Sequence, residues 1–248
     1  FAAAAEALTT GDRYGFVSAG AENMGSHNFY VFLLNNGGAL FTEDGAPNLM
    51  DERNLEAAQF FSDLVTAGSV HPASVGYVAD DALKAFSQGT AAMIINNPGM
   101  WERFPEISDQ IGILPPLTAP HGDVGTIQWV NNVMMYEQSE NKDAVRAFMK
   151  WWSENGLALW TEGHVTQLPV RQSIADDAYF AENERLKYIL DEWVPVAKTT
   201  GHPVEGIFPA LNEVEGEGVM QTLAQDILQG KDAVESMEKA NERFEEIV

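Results

Sequence analysis

A mixed α/β fold is predicted by three features of this chain. Short wholly apolar runs such as Ala91-Ala92-Met93-Ile94-Ile95 have the length of buried strands, stretches of helical period stand between them, and Gly- and Asn-rich connections stay short. The chain has 248 residues, 45% of them apolar and 10% aromatic, enough to bury a sizeable core without staples. In order, Phe1, Ala4, Ala5 and Leu8 share one helical face, and Tyr14 to Val17 reads as a short buried strand. Ala21 to Ser26 reads as a polar loop. Phe29 to Leu34 is a buried segment whose periodicity fits helix or strand, stopped by Asn35-Asn36-Gly37-Gly38. Asp44-Gly45 is a turn signal. Asp51 caps a helix with a Leu55, Ala58, Phe61, Leu64, Val65 stripe, and Gly68 supplies its left-handed stop.

Asp80 and Asp81 open a two-turn helix closed by Gly89, which hands over to the strand Ala91 to Ile95, with Phe86, Met93, Ile94 and Ile95 expected in the core. Further strands are predicted at Ile111 to Leu114 and Val130 to Tyr136. Helices follow at approximately Asn141 to Ser153, Gly156 to Glu162, Asp176 to Asn183, Glu184 to Val194, Val214 to Gln229 and Asp232 to Ile247.

Composition removes several function classes. Lys and Arg number 14 against 37 Asp and Glu, a formal net charge of −23, which argues against nucleic acid and anionic lipid as partners. Cysteine is absent, so thiol nucleophiles, thiolate metal sites and disulfides are excluded. No apolar run approaches the roughly 20 residues that span a bilayer. The histidines, at 27, 71, 121, 164 and 202, show no metal-ligand spacing, and no calcium loop, Walker loop, GxGxxG or GxSxG occurs. No cofactor and no metal are expected.

The most informative segment is Asp80 to Trp101, DDALKAFSQGTAAMIINNPGMW: a short helix, a Gly stop, a buried strand, and an Asn-Asn-Pro-Gly loop at the strand's carboxyl end, where open α/β sheets hold ligands. It resembles the extracytoplasmic solute-binding proteins of ABC importers, in the family that includes the maltose-binding and other sugar-binding proteins. Other segments resemble that family in the same order: Phe1 to Phe16, Asn28 to Phe41 with its Gly-Gly turn, Asn54 to Gly68, Ile113-Leu114-Pro115, Val133 to Ser153, Leu168 to Ser173, and Ile227 to Phe244.

The resemblance implies a periplasmic-binding-protein-like, type II two-lobed clamp, with most of the amino-terminal lobe lacking a counterpart here. Residues 1–112 would form the first part of the carboxyl-terminal lobe, 113–165 a segment returning to the amino-terminal lobe, and 166–248 the closing helices. It further implies a non-catalytic, monomeric receptor that takes a sugar or oligosaccharide into an interlobe cleft and delivers it to a membrane ABC permease. Its location would be the periplasm, or the bacterial cell surface as a lipoprotein. Glycoside hydrolysis is the alternative, since aromatics with carboxylates also describe such enzymes.

Sugar sites combine flat aromatic rings with Asn, Glu, Arg and His partners for hydroxyls. His27, Asn28 and Tyr30 fall where the family places an aromatic contact, although Tyr30 also reads as core. Asn97, Gly99 and Trp101 form the loop after the buried strand, Gly99 aligning with a family stacking Trp and Trp101 displaced by two positions. Trp129 and Asn131 lie in a loop before an apolar stretch. Arg171 offers planar donors, or a surface ion pair. Glu213 and Glu217, four apart, share a helical face and serve either as hydroxyl acceptors or as acids favouring a helix amino terminus. Trp151, Trp152, Trp160 and Trp193 are not nominated as contacts, and amphipathic packing is expected to explain at least one of the adjacent pair Trp151-Trp152.

Overall fold

The computed structural model describes residues 1–248. The elements in chain order are α1 (Ala2–Leu8), β1 (Tyr14–Val17), α2 (Asn23–Asn35), α3 (Glu52–Thr66), α4 (Ala79–Ser87), β2 (Ala91–Ile94) and β3 (Thr126–Ile127). After them come α5 (Lys142–Glu154), α6 (Ala158–Thr161), α7 (Gln172–Ala175), α8 (Ala178–Ala181) and α9 (Glu184–Tyr188). The chain ends with β4 (Ala197–Lys198), α10 (Pro209–Glu217), α11 (Val219–Leu228) and α12 (Ala233–Ile247). It divides into two compact units, the first built from Phe1–Ile95, Leu114–Gln128 and Val196–Val248, the second from Asn96–Ile113 and Trp129–Pro195. The segment 113–165 is thus shared, with 114–128 in the first unit and 129–165 in the second.

The first unit is organised by α2. Its residues Phe29 to Leu34 are all buried, so the segment has no solvated face, which is why periodicity alone left helix and strand open. The helix begins at Asn23, so the loop expected over Ala21 to Ser26 is mostly its first turn. Against α2 lie α3 and α11, with Phe29 and Phe32 centred 5.6 and 5.4 Å from Phe61 of α3. Phe41 stacks on Phe244 of α12 at 5.4 Å, closing the aromatic core. Asp51 caps α3 by accepting from the Arg53 N–H at 2.9 Å, and Gly68, at φ +71°, ends it as expected. Buried Asn54 donates to the carbonyls of Ala39 (2.8 Å) and Asn48 (2.7 Å), and a Cβ on Gly38 would lie 2.0 Å from its Oδ1. The Gly-Gly turn is therefore a packing requirement.

Both sheets are two-stranded and parallel. In β1–β2, Tyr14 faces Ala91, Phe16 faces Met93 and Val17 faces Ile94, and β3 pairs with β4. So small a sheet leaves strand surface only partly covered, and Phe86, Met93, Ile94 and Ile95 are half-buried rather than core. The runs Ile111 to Leu114 and Val130 to Tyr136 are not strands. A strand exists through its inter-strand hydrogen bonds, and these runs join neither ladder. The helix expected over Val214 to Gln229 is two helices, α10 and α11, divided at Gly218 with φ +68°. Likewise the segment from Glu184 continues beyond α9 as a π turn, Ile189–Trp193.

The second unit has a smaller core, in which Trp101, Ile111, Trp160, Phe180, Leu186 and Ile189 are buried. Trp160 meets Phe180 edge-on at 5.6 Å and donates its indole N–H to the Gln167 carbonyl at 2.6 Å. Helix α5 buries no residue, and Phe148, Trp151 and Trp152 stand exposed on it. Packing therefore does not account for either member of the Trp151-Trp152 pair, contrary to expectation.

Candidate functional site

A recess in the first unit gathers the polar end of α2. Asn23, Ser26, His27 and Tyr30, which share one face of the helix at three- and four-residue spacing, line it together with Leu40, Thr200, Val214, Glu215, Gly218, Met220 and Gln221. Its volume is about 30 Å³, the room of one water or one hydroxyl. Gln221 donates to the Ala21 carbonyl at 2.9 Å and so ties α11 to the turn before α2. Glu22 reaches the other way and accepts from the Ala79 N–H, at 2.6 Å, where α4 starts.

Burial sets the chemistry of the two ring residues. His27 is half-buried, and desolvation of its cation lowers its pKa to about 4, so the imidazole is neutral at ordinary pH. It can then both donate and accept. Tyr30 is only 2% exposed, and burial holds its phenol far above the usual range. Its hydroxyl points at the Thr200 carbonyl, 3.5 Å away. Tyr30 is therefore a wall of the recess and a core residue at once.

The other expected site residues are scattered by the fold. Asn28 turns into the body of the first unit and donates to the Ser18 hydroxyl at 3.4 Å. Glu217 is clamped by Arg243 through two hydrogen bonds of 2.6 and 2.7 Å, which lower its pKa, whereas Glu213 is exposed on α10. Neither serves a helix amino terminus, because both lie past the first turn of α10.

In the second unit, Asn97 is half-buried and its N–H donates to Asn96 Oδ1 at 2.8 Å. Gly99 has φ +74° and packs so closely on Thr166 that a Cβ would come within 3.3 Å of its Cα, a backbone reason for glycine at this position. Trp101 is buried, with the Arg185 guanidinium 5.4 Å from its ring centre and its indole N–H on Glu102 at 3.0 Å. That leaves no open face for stacking a ligand. Trp129 is 42% exposed and Asn131 is exposed. Arg171 donates to the Ser153 hydroxyl at 2.6 Å. A second, shallower recess of about 330 Å³ lies beside Trp151, Trp152, Asn155 and Glu162 and contains none of the expected site residues.

Sequence reasoning missed Asn23, Ser26, Thr200, Glu215 and Gln221. The first two carried a signal, the spacing of 23, 26, 27 and 30, which the assignment of Ala21 to Ser26 as loop concealed. The last three come from the distant end of the chain.

Residues 1–158 match the model of the bacterial extracellular solute-binding proteins. The chain belongs to this family. Solved structures share its fold. A sugar transporter from Arthrobacter chlorophenolicus with bound laminaribiose is 28% identical, with a TM-score of 0.89 over 96% of this chain and 61% of that chain. The GacH receptor of Streptomyces glaucescens, solved unliganded and with acarbose, is 24% identical, with a TM-score of 0.78 over 99% of this chain and 62% of that one. A Thermus thermophilus maltotriose binding protein bound with maltotriose is 22% identical, with a TM-score of 0.76 over 99% and 64%. The solute-binding chain described here thus spans about three fifths of the length of these structures. No curated protein matches it. No helix is long and apolar enough to cross a membrane.

Proposed function

We propose that this solute-binding protein captures a neutral sugar or oligosaccharide outside the cytoplasm and hands it, chemically unchanged, to a membrane ABC permease. The observation that carries the reading is the His27 recess: an uncharged imidazole beside Asn23, Ser26 and Gln221, a set of donors and acceptors suited to hydroxyls, in a chain 28% identical to a laminaribiose-bound transporter protein. The sugars bound by the other two structural relatives point the same way. The recess is too small for a sugar ring, so it receives one hydroxyl-bearing edge of the ligand.

Membership of the solute-binding family supports a receptor over a hydrolase. Placement in the periplasm or on a lipid-anchored cell surface, function as a monomer, and transfer to the permease complete the proposal. Its test is titration of the protein with laminaribiose, maltose and maltotriose, followed by calorimetry and by chromatography of the recovered sugar. Saturable binding with intact sugar is expected. Sugar cleavage, or failure of all three to bind at millimolar concentration, overturns the reading.

A further inference from the structure

Helix α2 carries Asn23, Ser26 and His27 of the recess on a weak opening turn. Asn23, Gly25, Ser26 and His27 are poor helix formers, and no side chain caps the turn from within. Its support comes from other elements. Ala21 is hydrogen-bonded through both backbone groups, its N–H donating to the Tyr77 carbonyl at 3.0 Å and its carbonyl accepting from Gln221 of α11 at 2.9 Å. The Gly20 N–H donates to the Ser74 carbonyl at 2.8 Å, and a Cβ on Gly20 would stand 2.7 Å from Leu228 Cδ1 of α11. Gly20 and Ala21 are thus pressed between α11 and the segment that leads into α4.

Glu22 completes the attachment. Its backbone opens α2, while its carboxylate accepts from the Ala79 N–H at 2.6 Å, one of the amino-terminal donors that α4 cannot satisfy itself. Asp81 serves a different donor, the Val78 N–H at 3.3 Å, so the Ala79 donor depends on Glu22. One side chain thereby fastens the starts of two helices together. It does so from outside the recess, whose lining on α2 begins at Asn23. We infer that Glu22 is a positioning residue for ligand capture: through Ala79 it holds the first turn of α2 and keeps Asn23 and His27 in the arrangement that a sugar hydroxyl meets, a role that rests on the sugar-capture reading.

The test uses three variants of the full chain. Glu22→Ala removes the acceptor, and Glu22→Gln keeps an acceptor oxygen. Ala79→Pro removes the donor, 57 residues away, at a first helical position that takes proline, after a Val78 already extended at φ −88° and ψ 172°. Amide hydrogen exchange over Asn23 to His27 is measured without ligand, and affinity by calorimetry at pH 7 for whichever of laminaribiose, maltose and maltotriose the wild type binds most tightly. Glu22→Ala and Ala79→Pro should each speed exchange and weaken affinity by about fivefold, the effect of losing one helix cap, while Glu22→Gln stays near the wild type in both. Asp51→Ala, which uncaps α3 instead, should leave affinity unchanged and so separates positioning from a general loss of stability. Unchanged exchange in Glu22→Ala and Ala79→Pro overturns the anchoring. Faster exchange at wild-type affinity, or an equal loss of affinity in Asp51→Ala, overturns the positioning role and leaves sugar capture standing. A wild type that binds none of the three sugars overturns sugar capture and the positioning role with it.

Discussion

Helices α3 and α5 carry the same kind of pattern and meet opposite fates. Both are amphipathic and of similar length, but α3 buries Ala57, Ala58, Phe61 and Leu64 against α2, while α5 buries nothing and leaves Phe148 and Trp151 51% and 57% exposed. An apolar stripe records what a helix is able to bury. Whether it contributes to stability depends on a partner surface, and within each unit that partner is present for α3 and absent for α5. The energetics of the two units should differ accordingly.

The largest expected contrast is between two phenylalanines. Phe61→Ala removes a fully buried ring that touches Phe29 and Phe32, at a cost of about 3 to 5 kcal/mol in urea denaturation. Phe148→Ala on α5 should cost less than about 1 kcal/mol by the same measurement. Equal costs would mean that α5 is covered in solution. A smaller effect is expected from Gly15→Ala, because a Cβ there would stand 2.1 Å from the Ala5 carbonyl oxygen and force α1 off β1. Overpacking of this kind costs about 1 to 3 kcal/mol, read as a lowered thermal midpoint.

The pH dependence of stability sharpens the account of the first unit. His27 has a pKa of about 4 in the fold against 6.5 when unfolded, so the unfolded chain binds the extra proton between these values. Stability contributed by the neutral ring is full above pH 6.5 and is lost as pH falls toward 4. Allowing for solvent screening, the loss is on the order of 1 to 2 kcal/mol. His71 and His202 are shifted in the same direction, both chiefly by burial. The contribution of His27 is therefore read as the difference between wild type and His27→Gln across pH 7.5 to 5, and coincident profiles would contradict its burial as a neutral group. The smallest effect belongs to the α3 cap, where Asp51→Ala should cost about 1 kcal/mol.

These elements also show where sequence was informative. Helix α3 was legible because its cap, stripe and stop are local, and α12 for the same reason, its Asp232 side chain accepting from the Glu235 N–H. Ile111 to Leu114 and Val130 to Tyr136 were misread because their composition suits a strand while strand formation requires a neighbour elsewhere in the chain. The start of α2 was hidden by Gly25 and by the missing side-chain cap. That glycine packs where a Cβ would lie 2.5 Å from the Ala19 carbonyl oxygen, a constraint invisible to propensity. At the candidate site, His27 and Tyr30 were legible from their segment, whereas Gln221, bonded to a residue 200 positions away, was not. Trp101 is buried beneath the Arg185 guanidinium, a neighbour far along the chain that its own segment does not reveal.

The most direct test of the central claim, that the His27 recess on α2 receives the sugar, is to follow the imidazole resonances of the five histidines during titration with a neutral glucose disaccharide. His27, assigned by its disappearance in His27→Gln, should shift saturably while His71, His121, His164 and His202 hold their positions. Saturable binding that leaves His27 unmoved would contradict the assignment of the site.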